Sequence, residues 1–239
     1  MVGYPSKGLA EEVIGVLFAD RREAGEFLAV RLTSFIGQNP LVLSIPRGGV
    51  VVAAPVARRL AAPLDVIVPR KLPAPHNEEL AVGAVAEDGT LYVDETLVAY
   101  LGVTHDYLRR EAARQIEEIT RRTRLYRRAR PPREVRDRTV ILVDDGVATG
   151  YTVLAALRYL RHQQPRQLVL AVPVASPDTL LKLREEADKV VVVSTPEPFY
   201  AVGQFYREFA QTTDDEVIDL LEEGIGAFAA GHPNSELRT

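Results

Sequence analysis

Residues 140–152 read Val-Ile-Leu-Val-Asp-Asp-Gly-Val-Ala-Thr-Gly-Tyr-Thr. Four apolar residues in succession are typical of a strand that is covered on both faces of a parallel sheet. Two carboxylates, Asp144 and Asp145, follow the strand, and a short loop with two glycines leads into a helix. In open α/β sheets, ligands bind beyond the carboxyl ends of the strands. The stretch therefore predicts a binding site at that edge of a sheet.

The rest of the chain repeats this alternation of strand and helix. Short apolar, β-branched runs predict four further strands, over residues 41–45, 66–69, 168–174 and 190–194. Apolar residues at helical spacing predict helices over residues 20–36, 49–60, 152–162 and 178–187. This alternation indicates an α/β fold with a twisted, mostly parallel sheet flanked by helices.

Two regions interrupt the alternation. Residues 72–138 are too long for an ordinary connection, and they predict a loop over 72–79, a strand over 80–86 and a long helix over 104–128. The aromatic-rich residues after 195 predict a helix over 214–223 and a frayed end over 231–239. We expect one domain over residues 1–239, whose core spans about 38–195 and includes a helical insertion over about 90–130. A small hood is expected over about 196–239, and residues 1–37 are a further candidate part of it.

Composition and charge exclude several classes of function. The chain has 239 residues, a net charge of −4 and no cysteine. The negative charge disfavours a protein that binds nucleic acid through overall basicity, and the lack of cysteine excludes disulfides, thiolate metal sites and a cysteine nucleophile. No apolar run approaches the length of about 18 residues that spans a bilayer, and residues 1–20 show no secretory signal. We therefore expect a cytoplasmic protein with no membrane partner.

The loop after the paired aspartates has the composition of a phosphate cradle. Backbone N–H groups at a helix N-terminus bind anions, glycines let the backbone approach them, and threonines add hydroxyl donors. The candidate cradle residues are Gly146, Val147, Ala148, Thr149, Gly150, Tyr151 and Thr152.

The paired aspartates predict a second role beside the cradle. Asp144 and Asp145 would repel a phosphate, but they can accept hydrogen bonds from two vicinal hydroxyls or help to place a metal ion. Cradle and carboxylates together favour a ribose 5-phosphate site. Two alternatives stay open, in which the aspartates cap a turn or form a phospho-acceptor acid pair.

Residues 144–152 resemble the ribose-phosphate signature of the type I phosphoribosyltransferases, in which two acids precede Ala-Thr-Gly-x-Thr. The segment Ser44-Ile45-Pro46-Arg47-Gly48-Gly49-Val50 is similar to the pyrophosphate loop of that family. Three further segments are similar to a little-characterised prokaryotic branch of it: Pro69-Arg70-Lys71-Leu72, residues 79–87 and residues 198–206.

The resemblance implies a reaction and a set of site residues. It implies transfer of a 5-phosphoribosyl group from phosphoribosyl pyrophosphate (PRPP) to a nitrogenous base, with release of pyrophosphate. The residues implied for pyrophosphate are Arg47, Gly48, Gly49, Arg70 and Lys71, and the implied catalytic set is Asp144, Asp145, Arg47 and Lys71. Mg²⁺ is the implied cofactor, bound mainly through substrate oxygens with Asp144 and Asp145 as weak ligands. A non-proline cis peptide at Arg47–Gly48, a mobile catalytic loop over 72–79 and a homodimer are further expectations.

Some properties stay open at the level of sequence. Branches of the family that act on 6-oxopurines carry an aspartate where this chain has Ala148. The alanine therefore makes a 6-oxopurine a weaker candidate for the acceptor base, but it does not favour any other base. A non-catalytic protein that binds PRPP and regulates a partner is the alternative function. Phe199 is the preferred ring to stack on the base. The arginine-rich helix over 104–128 presents a solvated face, or it contacts RNA, a second subunit or an anionic ligand.

Overall fold

A five-stranded parallel sheet forms the centre of the molecule. The computed structural model describes residues 16–128 and 130–231, without the side chains of Glu79 and of residues 225–231. The strands in these ranges are β1 (Leu41–Ser44), β2 (Leu64–Val66), β3 (Arg70–Ala74), β4 (Asn77–Val85), β5 (Leu91–Val93), β6 (Thr139–Val143), β7 (Gln167–Val174) and β8 (Lys189–Ser194). The parallel sheet has the order β2-β1-β6-β7-β8. The α/β class expected from the sequence is confirmed.

Helices cover both faces of this sheet. They are α1 (Arg21–Arg31), α2 (Gly48–Leu60), α3 (Glu95–Tyr100), α4 (His105–Arg127), α5 (Tyr151–His162), α6 (Pro177–Glu186) and α7 (Asp214–Gly231). Asp20 caps α1, because its side chain accepts a hydrogen bond from the Glu23 N–H at 2.8 Å. The helix expected over 20–36 ends at Arg31, and a short 3₁₀ turn at Thr33–Phe35 completes the segment.

The central strand β6 packs against helices on both sides. All five of its residues are buried. Ile141 and Val143 belong to the core that includes α1, α2 and α7, whereas Val140 and Leu142 belong to the core that includes α5 and α6. Alternate residues therefore face opposite layers, which explains why the strand is apolar throughout.

Strand register brings the two candidate loops together. β1 and β6 run parallel, and Ser44 lies opposite Val143 at their carboxyl ends. The loop that follows Ser44 and the loop that follows Val143 therefore leave the sheet side by side.

The expectation that residues 72–79 form an irregular loop is wrong, whereas the mobility and catalytic role of this segment stay predictions. These residues belong to a hairpin in which β3 and β4 pair antiparallel, and β5 completes a second, three-stranded sheet. Pro73 and Pro75 made the segment resemble a loop. β3 is an edge strand, where proline is tolerated, and its pairing with β4 shifts register on both sides of Pro73.

The strand expected over 66–69 lies two residues earlier, at Leu64–Val66. The buried Asp65 interrupts the apolar run and so hid its start. Asp65 Oδ1 accepts a hydrogen bond from Arg127 Nε at 3.0 Å, and Arg127 also donates to the Val66 carbonyl at 2.6 Å. One arginine of α4 therefore reaches into the core, although helix periodicity alone indicated a solvated surface.

The other arginines of α4 include several that pair along the helix. Arg114 binds Glu111, and both Arg121 and Arg122 bind Glu118. Hydrogen bonds from Arg121 and Arg122 lower the pKa of Glu118 to about 2. These pairs agree with the interpretation of this part of the helix as a solvated, charge-compensated face.

Part of the sequence-based expectations falls outside the described residues. These are the absence of a secretory signal, which concerns mainly residues 1–15, and the fraying of residues 232–239. Within the described ranges, no helix combines the length and the apolar character needed to cross a membrane.

Close packing of α1 on α2 gives a test of the fold. A Cβ atom at Gly25 would lie 2.5 Å from the Val52 carbonyl oxygen, so we expect Gly25→Ala to lower the free energy of unfolding by about 1–3 kcal/mol. Urea denaturation measures this change, and Glu26→Ala at the neighbouring exposed position is the control. Alanine is otherwise the better helix former, so a neutral or stabilising Gly25→Ala variant would contradict the packing.

Candidate functional site

Asp144 and Asp145 lie directly after β6, at the carboxyl edge of the parallel sheet. Both residues are partly buried. The backbone N–H of Asp145 donates to Asp144 Oδ1 at 2.9 Å. Burial and then the charge of Asp145 raise the pKa of Asp144 well above its ordinary value, against smaller opposing effects of Arg21 and Lys71.

Asp145 pairs with a residue that sequence reasoning missed. Arg21 Nε donates to Asp145 Oδ2 at 2.7 Å, and the two side chains are only 11% and 17% exposed. Burial raises the pKa of Asp145, and the hydrogen bond from Arg21 limits that rise. The Tyr206 hydroxyl donates to the backbone carbonyl of Asp145. Both partners are far from Asp145 in sequence, so no local pattern could have indicated either contact.

Each carboxylate keeps one oxygen for a ligand. In the part of the chain that the structure describes, Asp144 Oδ2 and Asp145 Oδ1 accept no hydrogen bond from another residue. Neither atom belongs to the fully buried side-chain atoms that lack a partner there. Two neighbouring acceptors of this kind can receive the two protons of a vicinal diol.

Hydrogen bonds from the end of β7 and the start of α6 hold the loop between the aspartates and α5. The Ala148 carbonyl accepts hydrogen bonds from Thr179 Oγ1 at 2.6 Å and from Ser176 Oγ at 3.0 Å. The Val147 N–H donates to the Val174 carbonyl at 2.9 Å. The loop is therefore held against the junction of β7 and α6, and the N–H of Val147 is not available to a ligand.

Several backbone donors of this loop remain free. Among the described residues, the N–H groups of Ala148, Thr149 and Gly150 donate to no protein acceptor. Tyr151 and Thr152 form the first turn of α5, whose N-cap makes no side-chain bond. Gly150 has φ of 79°, and a Cβ there would lie 2.5 Å from Thr179 Cγ2. The turn thus needs glycine and presents a row of donors at a helix N-terminus.

Tyr151 connects the loop to the insertion. Its hydroxyl donates to Asp94 Oδ2 at 3.2 Å, and burial together with Asp94 raises the pKa of Tyr151 to about 12. Asp94 also caps α3 by accepting a hydrogen bond from the Leu97 N–H at 2.9 Å. The position of the loop therefore depends on the insertion as well as on the sheet.

The cis peptide of the neighbouring loop lies between Pro46 and Arg47. The expectation that it lies at Arg47–Gly48 is wrong by one bond. Arg47 is the N-cap of α2, and its carbonyl accepts a hydrogen bond from the Val50 N–H at 3.1 Å. The Arg47–Gly48 peptide therefore begins the helix and has the trans geometry that a helix requires.

Gly48 and Gly49 lie against the two aspartates. A Cβ at Gly48 would lie 2.1 Å from Asp145 Oδ2 and 2.5 Å from Arg21 Nε. A Cβ at Gly49 would lie 3.0 Å from Asp144 Oδ1. A Cβ at Gly49 would also lie 2.9 Å from Ser44 Oγ. The carboxylates and Ser44 therefore restrict these positions to glycine, a contact that the sequence argument did not include.

Arg47 points toward the C-terminal helix. Its Nη1 lies 3.7 Å from Asp214 Oδ1, the first residue of α7. The same oxygen accepts a hydrogen bond from the Tyr126 hydroxyl at 2.6 Å. Burial and Asp214 raise the pKa of Tyr126 to about 12. Sequence analysis missed both Tyr126 and Asp214 as neighbours of Arg47.

Arg70 and Lys71 have different surroundings. Arg70 is half-buried, its Nε donates to Gln115 Oε1 of α4 at 3.0 Å, and burial lowers its pKa. Lys71 is exposed, and its charge acts on Asp144. Successive residues of a strand point to opposite sides, so Arg70 is directed to α4, whereas Lys71 lies on the other side of the strand and its charge lowers the pKa of Asp144.

Phe199 belongs to an aromatic cluster beside the site. Its ring centroid lies 4.8 Å from that of Phe205, whereas Tyr200 is 82% exposed. The N–H of Phe18 donates to the Phe205 carbonyl at 2.9 Å, and the Arg207 N–H donates to the Phe18 carbonyl at 2.8 Å. The N-terminal segment and the C-terminal segment thus pair here, and the role of Phe199 toward a base stays a prediction.

The site offers only part of a metal coordination sphere. No group of three or more His, Asp or Glu side chains in the described ranges is arranged to hold a metal ion. Asp144 and Asp145 supply two carboxylates, which fits Mg²⁺, an ion that keeps water ligands and binds through one or two carboxylates together with substrate phosphates.

The two aspartates are expected to differ in how much their neutralisation changes the free energy of unfolding. The charge of Asp144 opposes folding above its raised pKa, so Asp144→Asn should raise the free energy of unfolding at pH 8 by roughly 0.5–2 kcal/mol. The gain should shrink as the pH falls through that pKa, because the carboxyl group of the folded protein then becomes neutral as well. Asp145→Asn should raise the free energy of unfolding by less, because the loss of the ion pair with Arg21 offsets most of the gain from removing a buried charge.

Urea denaturation of both variants between pH 5 and pH 8 measures these effects. An Asp144→Asn variant that is destabilised throughout this range would contradict the raised pKa of Asp144.

Comparisons with known proteins agree with this geometry. Residues 20–209 match the family model described as phosphoribosyl transferase domain. Two Mycobacterium tuberculosis proteins, from strains CDC 1551 and H37Rv and each provisionally named a phosphoribosyl transferase, are 42% identical over 213 residues, or 89% of this chain. The chain spans about half (48%) of the length of these relatives. The crystal structure of TT1426 from Thermus thermophilus is 47% identical, with a TM-score of 0.74 over 87% of this chain and 99% of that one. The chain belongs to the phosphoribosyl transferase domain family, as the resemblance of its loops predicted.

Proposed function

We propose that the protein transfers a 5-phosphoribosyl group from PRPP to a nitrogenous base and releases pyrophosphate. One observation carries the proposal: two half-buried carboxylates, each with one oxygen that accepts no hydrogen bond from another described residue, lie beside a loop in which the N–H groups of Ala148, Thr149 and Gly150 have no acceptor there. The first feature suits the ribose diol and the second suits the 5-phosphate. Membership of the phosphoribosyl transferase domain family supports the same ligand.

The carboxylates and the loop bind different parts of the donor. Asp144 Oδ2 and Asp145 Oδ1 accept hydrogen bonds from the two ribose hydroxyls. The N–H groups from Ala148 to Thr152 bind the 5-phosphate, and the exposed Thr149 adds its hydroxyl. Charge-assisted hydrogen bonds contribute about 1.5–3 kcal/mol each, so a few of them suffice for specific binding.

The reaction breaks the bond between ribose C1 and the pyrophosphate oxygen, and the leaving group keeps the bonding electrons. A ring nitrogen of the base supplies the electron pair for the new C1–N bond and then loses its proton to solvent water. Arg47 and Lys71 stabilise the negative charge of pyrophosphate. Mg²⁺, held by Asp144, Asp145 and substrate oxygens, would act as a Lewis acid on the leaving group when bound. We assign Arg70 an indirect role, because it binds Gln115 of α4.

The acceptor remains to be identified by experiment. Phe199 stays the proposed stacking ring, and Ala148 provides no acid for a 6-oxopurine. The direct test is pyrophosphate release from PRPP in the presence of a panel of purines, pyrimidines and related heterocycles. Release with one base establishes the transfer. PRPP binding without release by any base would favour the non-catalytic regulator instead, and a homodimer is a separate prediction.

Loss of the ribose contacts should weaken donor binding strongly. We expect the double variant Asp144→Asn/Asp145→Asn to raise the dissociation constant of PRPP by about 100-fold or more, because two charge-assisted hydrogen bonds are weakened. Isothermal titration calorimetry measures the constant. Asp219→Asn, at an exposed carboxylate of α7, is the control. An unchanged dissociation constant in the double variant would refute the assignment of the donor site.

Lys71 and Arg70 should differ in their effect on pyrophosphate. We expect Lys71→Gln to raise the dissociation constant of magnesium pyrophosphate by about 10-fold, equivalent to one charge-assisted bond. Arg70→Gln should have a smaller effect, because its side chain is directed to α4. Equal losses in the two variants would show that Arg70 also contacts the pyrophosphate.

A further inference from the structure

Arg21 connects three separate parts of the chain at the candidate site. Its Nε donates to Asp145 Oδ2 at 2.7 Å, and its Nη1 donates to the Ala210 carbonyl at 2.7 Å. Its Cζ lies 3.7 Å from the centroid of the Phe209 ring. One guanidinium therefore joins α1, the end of β6 and the segment that follows the aromatic cluster.

The surroundings hold this guanidinium in one place. The side chain is 11% exposed. Gly48 covers the ion pair so closely that any Cβ would overlap with Asp145 Oδ2 and Arg21 Nε. The helix that carries Arg21 is itself held against α2 at Gly25, where a Cβ would lie 2.5 Å from the Val52 carbonyl oxygen. Arg21 is thus part of a packed arrangement rather than a free surface cation.

The contact determines which oxygen of Asp145 is available. A carboxylate rotates about its Cβ–Cγ bond unless a partner holds it. Arg21 occupies Oδ2, and Oδ1 accepts no hydrogen bond from another described residue. The neighbouring Asp144 is held in the same manner, by the backbone N–H of Asp145 at Oδ1. Both carboxylates therefore present one free oxygen each.

We propose that Arg21 is a positioning residue of the donor site, which holds the Asp145 carboxylate so that its free oxygen receives a ribose hydroxyl. The proposal rests on the function proposed above and adds a residue to it. Arg21 acts through Asp145 and does not touch the donor. Its contacts with Phe209 and Ala210 also connect that part of the C-terminal segment to the ribose contacts.

Lysine cannot replace this arginine fully. The planar guanidinium makes an ion pair, a carbonyl contact and an aromatic contact at once, whereas an ammonium is a point charge on a flexible stem. Arg21→Lys keeps the charge and loses the fork, and Arg21→Gln loses both. The two variants should therefore form a graded series.

The test compares ribose 5-phosphate with 2,3-dideoxyribose 5-phosphate, which lacks only the two hydroxyls that the aspartates are proposed to bind. Isothermal titration calorimetry gives the ratio of the two dissociation constants. For the unmodified protein we expect a ratio of at least about 10. For Arg21→Gln the ratio should fall to about 2 with the affinity for the dideoxy analogue unchanged, and Arg21→Lys should lie between. Arg22→Gln, at the adjacent exposed arginine, should keep the original ratio.

The outcomes separate this inference from the proposed function. An unmodified protein that binds ribose 5-phosphate no better than the analogue would overturn both. Discrimination that persists in Arg21→Gln would overturn the role of Arg21 alone. Equal weakening of both ligands would also overturn it, because that result indicates a general loss of structure. If Arg21→Gln does not fold, the same comparison on Arg21→Lys decides: a reduced ratio supports the proposal, and an unchanged ratio refutes it.

Discussion

The rest of this site depends on one constraint, which is that two adjacent carboxylates, Asp144 and Asp145, lie partly buried at the end of strand β6. Burial and mutual repulsion both favour the neutral form of Asp144, and the protein limits the cost on Asp145 by pairing it with Arg21. A Cβ at Gly48 would overlap with the Asp145 carboxylate, and a Cβ at Gly49 would press on both Ser44 and Asp144. Perturbed acids of this kind concentrate at functional sites, which supports the proposal that this pair binds a ligand.

The remaining parts of the chain hold the two loops in place from different directions. Ser176 and Thr179 bind the Ala148 carbonyl from the junction of β7 and α6. Tyr151 binds Asp94 of the insertion, and Arg47 lies beside Asp214 of the C-terminal helix. Under the proposed function, a site supported in this way is organised before the donor binds, which reduces the ordering cost of binding.

The sequence predicted the elements whose pattern is local. The apolar run before Asp144 indicated a buried strand, and the structure agrees, because β6 contacts helices on both faces. Prediction failed where a tertiary contact overrode the local pattern. Asp65 concealed the start of β2 because its partner, Arg127, is distant in sequence. Pro73 and Pro75 suggested a loop, but Pro73 lies in an edge strand, which tolerates it, and Pro75 lies in the turn between β3 and β4.

The candidate site likewise has some features that the local sequence predicts and others that only tertiary contacts determine. Local order and composition determined that two acids and a loop with two glycines would follow a buried strand and lead into a helix, because these features lie within one continuous segment. Tertiary structure alone decided that Arg21 meets Asp145, that Lys71 rather than Arg70 acts on Asp144, and that Asp214 lies beside Arg47. These contacts join residues far apart in the chain, and their geometry depends on helix packing and strand register, which no local pattern encodes.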